Sequence, residues 1–388
     1  MQNIKKYKVA FVGWNPFQFL HIKALALAIP NAVFILEKRK NNNVKFFSKD
    51  ILDNQDIPVW IYKQKNMLKL DALFDIVITQ SMFENIHKFE HAKIVMLQYG
   101  YGKEVHNYGT WRALSSLCLV YGAYAAKKIE PFCPVEITGN PRYEKWHDKK
   151  FHVEAKKAYG LSLDRNMKTI LYMPTWGDIS SYDTYIDSIL ELSKSYNIMV
   201  KLHHNSDFLE YKKRKEGTNI TFFGANDENL SLLALCDIVV CDYGGAMFDA
   251  LYCQKSIVLL DIPEEKLLKS RKVDKYSFDF VKRDKIGIRI SSPSRLAESI
   301  NEVLRQPSKT KESLDNLKEE FFLNSKNTIQ NVITALEKLM DNEYIKNQRH
   351  EYIQQTVVEL QNKKCFLGSI KKEIFAIYYY MKSRIIQR

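Results

Sequence analysis

The sequence predicts an α/β protein built from two tandem parallel sheets, with a cleft between them and a helical tail. Short apolar, β-branched runs recur along the chain, they fall into two series, and a polar connection separates the series. With 388 residues, 46% of them hydrophobic and 12% aromatic, the chain can bury a large core and is long enough for two or three domains of roughly 150 residues each. Only 14 Gly and 10 Pro are present, a composition that excludes disordered, collagenous and low-complexity architectures.

The first series is KVAFVGW (8–14), AVFILE (32–37), FDIVITQ (74–80), AKIVMLQYG (92–100) and SLCLVYG (116–122). Each run is short and nearly continuous in its apolar character, and each is followed by room for a helix, so each reads as a buried parallel strand. The second series is TILYMPTW (169–176), IMVKLHH (198–204), NITFFG (219–224), DIVVCDYG (237–244), SIVLLD (256–261) and IGIRI (286–290). Between them, 138–161 is polar and charged around one Gly-Asn-Pro turn, which suits a surface connection and puts the boundary near 150. Residues 293–342 read as helices, one opening from a Ser cap and one, NTIQNVITALEKLMDN, repeating apolar residues at helical spacing. The amphipathic, basic segment 343–388 reads as an attached helical tail.

A formal charge of +13, from 58 Lys+Arg against 45 Asp+Glu, points to an anionic partner: nucleic acid, anionic lipid or a phosphorylated substrate. Cys118, Cys133, Cys236, Cys241, Cys253 and Cys365 form no CxxC pair, and several sit in apolar runs, so reduced thiols and a cytoplasmic setting are expected. The N-terminus lacks the apolar core and cleavage site of a secretory signal. No stretch of about 18 uncharged apolar residues occurs, so any membrane contact is expected to be peripheral.

In facing parallel sheets, ligands are expected beyond the carboxyl ends of the strands. There DIVVCDYGGAMFDALYC (237–253) runs from strand through Asp242-Tyr243-Gly244-Gly245 into a helix. Paired glycines let a phosphate approach the backbone, the helix start supplies N–H groups, and Asp249 can accept from ribose or polyol hydroxyls. The plainer alternative is a tight βα turn followed by an acid that the helix dipole favours. LYMPTWGDISSY (171–182) stops its strand at Pro174 and offers Thr175, Trp176 and Asp178 to the cleft: a hydroxyl, a ring to cover a base or sugar, and a carboxylate. VKLHHN (200–205) brings Lys201, His203 and His204 to another strand end, where alternation sends His203 and His204 to opposite faces and one of them to the cleft. Adjacent histidines that point apart, without an HExxH pattern, give no metal site. In the first half, LQYGYGKEVHNYGTW (97–111) carries Lys103 and His106, while Trp14-Asn15-Pro16 and His21 follow the first strand.

Taken in order, ITGNPRYE, ILYMPTWGD, VKLHHN and CDIVVCDYGGAMFDAL resemble the motif series of the CDP-glycerol glycerophosphotransferases, the teichoic-acid and capsule polyol-phosphate transferases, over roughly residues 90–265. The resemblance implies a GT-B fold, with a Rossmann-like acceptor domain over 1–150 and a Rossmann-like nucleotide-donor domain over 151–342. It implies that Thr175, His203, Asp242, Gly244, Gly245 and Asp249 contact the donor, with Arg142 near the cleft; Trp176, Asp178 and Lys201 join them as donor-side candidates from their strand-end positions. The implied reaction is displacement of CMP from CDP-glycerol by an acceptor hydroxyl.

Three departures from that family pattern stand out. The His of the family's WHGT falls on Tyr99 in Gln98-Tyr99-Gly100-Tyr101, and a neutral Tyr, with a pKa ordinarily near 10, is the poorer base. His203, His106 and Tyr99 are therefore the catalytic candidates. Gly244-Gly245 replace Ser-Ser, and Asn205 replaces Pro.

The expected partners are a CDP-activated polyol donor, a lipid-linked glycan acceptor and an anionic membrane surface on the inner face of a bacterial membrane. The membrane expectation rests on 363–388, where seven Lys and Arg stand against Glu373 and alternate with Phe366, Phe375 and Tyr378 to Tyr380. No cofactor or metal is expected, nor nucleic acid, since no recognition module is present. The alternatives are a GT-B glycosyltransferase using a UDP-, GDP- or CMP-sugar, and a non-catalytic nucleotide- or glycolipid-binding subunit.

Overall fold

The computed structural model describes residues 4–160, 163–207, 217–270, 273–274, 276–305 and 307–364. The first sheet contains β1 (Val9–Gly13), β2 (Val33–Lys38), β3 (Val59–Lys63), β4 (Ile76–Thr79), β5 (Lys93–Leu97), β6 (Leu117–Val120) and β7 (Val135–Ile137), in the order β3-β2-β1-β4-β5-β6-β7. The second contains β8 (Lys168–Met173), β9 (Tyr196–Lys201), β10 (Ile220–Phe223), β11 (Ile238–Cys241), β12 (Ser256–Leu260) and β13 (Ile288–Ile290), in the order β10-β9-β8-β11-β12-β13. All pairings are parallel. The two parallel sheets expected from the apolar runs are present.

Central strands β1, β4, β6 and β11 are buried along their whole length, which explains why they read as unbroken apolar runs. Two further strands escape that pattern for physical reasons. β3 is an edge strand whose Trp60 and Ile61 are 42% and 49% exposed, so its apolar run Val59–Tyr62 is not buried on both faces as the central strands are. β7 has three residues and lies at the opposite edge.

The two units share one continuous core. It runs from Phe11 and Leu97 to Leu171 and Leu259 through Tyr101, Tyr143, Phe248, Phe321 and Phe322. Ring contacts fill this seam: Tyr101 stacks on Phe248 at 5.3 Å, Tyr143 on Tyr252 at 3.9 Å and Tyr124 on Phe321 at 4.4 Å. Such pairs add to simple area burial through the ring quadrupoles.

After the helix Pro307–Phe321 the chain crosses back to the first unit. Leu323 N donates to Tyr121 O at 2.7 Å, Thr328 Oγ1 donates to Glu144 at 2.9 Å, and Ile4 N donates to Glu337 at 3.0 Å. The helix Thr328–Met340 and the helix over 348–364 then lie on the first unit, where Val357 joins its core and His350 meets the carbonyl of Glu130 at 2.9 Å. Among the described residues, those from Ile4 and those after Leu323 therefore both pack on the first unit, although the helix Thr328–Met340 follows the second sheet in the chain. Of the basic segment 363–388, residues 365–388 lie outside the described residues. Among the described residues no helix is long and apolar enough to cross a membrane, and the five described cysteines are free and buried.

Gly122 opens the helix Ala123–Ile129 where the returning chain crosses, and a Cβ built there would fall on the backbone of Phe321 and Phe322. Gly122→Ala should cost about 1–3 kcal/mol by overpacking, read as a lowered Tm in thermal melts. An unchanged Tm would mean that the crossing segment is not seated against Gly122.

Candidate functional site

A cavity of about 1000 Å³ lies between the carboxyl ends of the two sheets. In the second sheet, β8 and β11 are neighbours, and their successors β9 and β12 lie on opposite sides of them. This topological switch leaves a crevice beyond the strand ends. The turn after β8 and the turn after β11 form its walls, and Thr175, Trp176, Gly244 and Gly245 all line the cavity. Gly244 has φ +105° and Gly177 φ +75°, conformations that favour glycine. A Cβ built on Gly245 would meet nothing within 4 Å, so the backbone there is open to a ligand.

Asp242 has a different role from the donor contact expected of it. It is 1% exposed and off the cavity wall. Its carboxylate accepts from Thr175 N, Ser181 N and Ser181 Oγ, each at 2.8 Å, and from Tyr243 N at 2.7 Å. Burial pushes its pKa up and these donors oppose the shift. Asp242 ties the two ligand-facing turns together from below, because β11 ends one residue earlier and the side chain turns under the neighbouring loop. Asp178 lies in the short helical turn Gly177–Ile179, exposed and away from the cavity wall.

Arg142 comes from the first unit. Asn140 caps the turn by accepting from Arg142 N at 3.1 Å, and Pro141 follows as the first residue of the helical turn. The guanidinium, 4% exposed, pairs with Asp249 of the second unit; Tyr143 OH donates to the same carboxylate oxygen, and Asn229 reaches the other at 3.3 Å. Both Asp249 oxygens are thus engaged by protein groups, although the residue lines the cavity. Removing one partner of such a buried pair leaves an uncompensated charge, at a cost of about 3–5 kcal/mol.

Lys201 ends β9 with its ammonium donating to the carbonyl of Gly224 and, at 3.4 Å, to that of Leu202. Because the strand stops there, alternation no longer governs the next residues, and both His203 and His204 line the cavity. His203 Nδ1 accepts from Asn205 N at 3.1 Å, and its ring stacks near Trp176 at 6.0 Å. The His204 ring lies 4.1 Å from His203 and stacks at 5.9 Å on Phe17 of the first unit. Burial, then Lys201 and Lys103, push the His204 pKa down to about 4.

On the first-unit wall stand Trp14, Phe17, His21, Tyr99, Lys103 and His106. Burial pushes the Tyr99 hydroxyl up to about 12 against the opposing effects of Asn15 and Arg142, which keeps it protonated at neutral pH. His106, in the short helix Glu104–Asn107, is exposed at the cavity rim, and its pKa is lowered by desolvation, Lys103 and Arg112. This loop is clasped to the second unit. Lys103 N donates to Asp279 at 3.0 Å, Val105 N to Asp274 at 3.1 Å, and Phe278 N to Glu104 at 2.9 Å. The clasp residues and the ring contact across the cleft from Phe17 carry no local sequence signal, since their partners lie about 170 or more residues away. Among the described residues no group of three or more His, Cys, Asp or Glu is placed to hold a metal ion.

Two facing parallel sheets, with ligand-facing turns at a switch point and a cavity between the units, define a GT-B-type fold. The chain belongs to the CDP-glycerol:poly(glycerophosphate) glycerophosphotransferase family, whose model matches residues 133–364. Among solved structures it is similar to the wall teichoic acid polymerase TagF, at 15% identity and TM-score 0.59 over 87% of this chain and 89% of that one. It is also similar to the UDP-GlcNAc 2-epimerase from Neisseria meningitidis bound to UDP-GlcNAc, at 15% identity and TM-score 0.54 over 85% and 100%. The epimerase from Methanocaldococcus jannaschii follows at 11% and 0.53 over 84% and 98%. Among curated protein sequences no relative matches. At these identities the structural likenesses establish the fold.

His204 titrates near 4 in the folded chain and near 6.5 when unfolded. As pH falls through this window the unfolded chain takes up the proton first, so stability declines from about pH 6.5 to about pH 4. His21, shifted in the same direction, adds to the decline. Thermal melts across this window should show a falling Tm, with a shallower slope in His204→Gln. An identical slope in that variant would exclude His204 as a contributor.

Proposed function

We propose that this transferase moves glycerol phosphate, or a related polyol phosphate, from a CDP-activated donor to a hydroxyl of a lipid-linked surface glycopolymer and releases CMP. The observation that carries the reading is the cation-rich cavity at the second sheet's switch point, walled by Gly244, Gly245, Arg142, Lys201 and His203, in a chain of this family. The acceptor oxygen bonds to the phosphorus bearing the polyol, the bond from that phosphorus to the CMP oxygen breaks, and the hydroxyl proton leaves. Positioning and charge compensation carry most of such a phosphoryl transfer.

Arg142 and Lys201 supply fixed positive charge for the developing phosphate charge. His203, whose Nδ1 accepts from Asn205, presents an Nε2–H suited to the departing CMP phosphate. Trp176 beside it is suited to cover the base or the polyol. With Tyr99 held protonated, His106 or a phosphate oxygen is the better recipient of the acceptor proton. A teichoic-acid-type acceptor is supported by the likeness to TagF, a wall teichoic acid polymerase. The nucleotide-sugar alternative draws on Gly244-Gly245, which offer no hydroxyls to phosphate, and on the epimerase of similar fold that binds UDP-GlcNAc.

CDP-glycerol or CDP-ribitol should raise the Tm of the purified protein more than UDP, GDP or their sugars do; selective stabilisation by a UDP- or GDP-sugar would overturn the donor. In the same preparation, His203→Ala should lose most CMP release while melting normally, and near-wild-type turnover would remove His203 from the reaction. Association with an anionic membrane face through 363–388 is a part of the proposal supported by that segment's charge and aromatic content. Truncation before residue 363 should abolish co-sedimentation with anionic vesicles, and retained co-sedimentation would assign membrane contact elsewhere.

A further inference from the structure

The first sheet has a switch point of its own. β1 and β4 are neighbours, and their successors β2 and β5 lie on opposite sides, so a second crevice opens beyond their carboxyl ends. His21, on the helix Pro16–Ala28 that follows β1, lines the cavity there, and Gln80 immediately follows β4. The His21 ring lies 4.0 Å from Phe17 and 5.8 Å from Tyr99.

The hydrogen-bond pattern fixes what this imidazole can do. Gln80 Nε2 donates to the carbonyl of Gln98 at 3.1 Å, which sets the amide's orientation, and the same nitrogen stands 3.5 Å from His21 Nδ1. Nδ1 is therefore the accepting nitrogen, and the proton of the neutral ring sits on Nε2. Burial first, then Arg142, His204 and Lys145, hold the His21 pKa well below its ordinary value, so the ring is neutral. Its Nε2 is buried without a partner among the described residues, and so is Nε of Arg142, whose guanidinium carbon lies 6.0 Å from the Phe17 ring that His21 packs against. Burying two N–H donors without acceptors is costly. Two donors call for a group that offers acceptor oxygens, and phosphate oxygens offer only lone pairs.

We propose that the first unit's switch point is a phosphate subsite in which His21 Nε2–H and Arg142 Nε–H donate to the oxygens of one phosphate group, with Gln80 as the residue that positions the His21 ring. The inference rests on the transferase reading above. That phosphate belongs either to the CDP-activated donor or to the growing phosphodiester end of the acceptor, and the experiment separates these two sources.

Calorimetric titration of the full chain with CDP-glycerol, with a short glycerol-phosphate oligomer and with a UDP-sugar would be run on wild type, His21→Phe and His21→Gln. His21→Phe should weaken one of these ligands roughly tenfold, and His21→Gln, which keeps an N–H, should recover part of the loss. A loss confined to CDP-glycerol assigns the subsite to the donor's phosphate, and a loss confined to the oligomer assigns it to the acceptor's. If wild type ignores CDP-glycerol but binds the UDP-sugar with the same sensitivity to His21→Phe, the donor reading fails and the subsite stands. Unchanged affinity for every bound ligand in a folded His21→Phe overturns the subsite. The imidazole nitrogen resonances of wild-type His21 give the same answer without substitution: Nε2 should be the protonated nitrogen and should shift on ligand saturation. A resonance unmoved by all three ligands overturns the proposal.

Discussion

The buried Arg142–Asp249 ion pair fixes how the two units face each other, and the cavity depends on that placement. One partner leaves the first unit on the turn after β7 and the other belongs to the helix after β11, so the bond spans the seam directly. Tyr143 shares the same carboxylate, and its ring stacks on Tyr252, which merges the polar contact with the aromatic seam. A buried ion pair tolerates little displacement, because separating the charges in a medium of low dielectric is costly. The pair thereby sets the width of the cleft and leaves a guanidinium edge at its wall.

Around this fixed seam the two sheets use the same architectural device. Each open parallel sheet has one place where consecutive crossovers diverge, and in each unit the chemistry-bearing side chains stand beyond that place. In the second unit these are the turns joined beneath by Asp242; in the first they are His21, Gln80 and Tyr99. A succession of rings, Trp176, His203, His204, Phe17, His21 and Tyr99, runs from one crevice to the other. The lowered pKa values of His21 and His204 in this row follow from desolvation first and then from the positive groups around them. Such a setting suits a ligand that brings its own negative charge.

The fold was largely legible because parallel strands buried on both faces are nearly continuous apolar runs, and β1, β4, β6 and β11 are buried along their whole length. β3 and β7 went unread: β3 is a short apolar run, Val59–Tyr62, half wetted at the sheet edge, and β7 is only three residues, Val135–Ile137, with Glu136 at its centre. In the candidate site, the glycines and the Thr175-Trp176 turn were legible because a turn at a strand end needs particular residue types. Asp242 and His204 show the limit. The spacing that brings Asp242 to a strand end is the same for a ligand contact and for a buried clasp, and the alternation rule fails for His204 one residue after β9 ends.

The sequence by itself determined two parallel sheets, the turns at the carboxyl ends of the second, the excess of positive charge and the motif order that the family model also matches. Those features are written in contiguous residues, where local backbone preference and burial act. Tertiary structure alone decided that Arg142 meets Asp249, that Glu104 and Asp279 close one side of the cleft, and that His21 and Arg142, both against Phe17, each bury a donor without a partner among the described residues. Each of these contacts joins residues far apart in the chain, and only the packing of one sheet against the other brings them together.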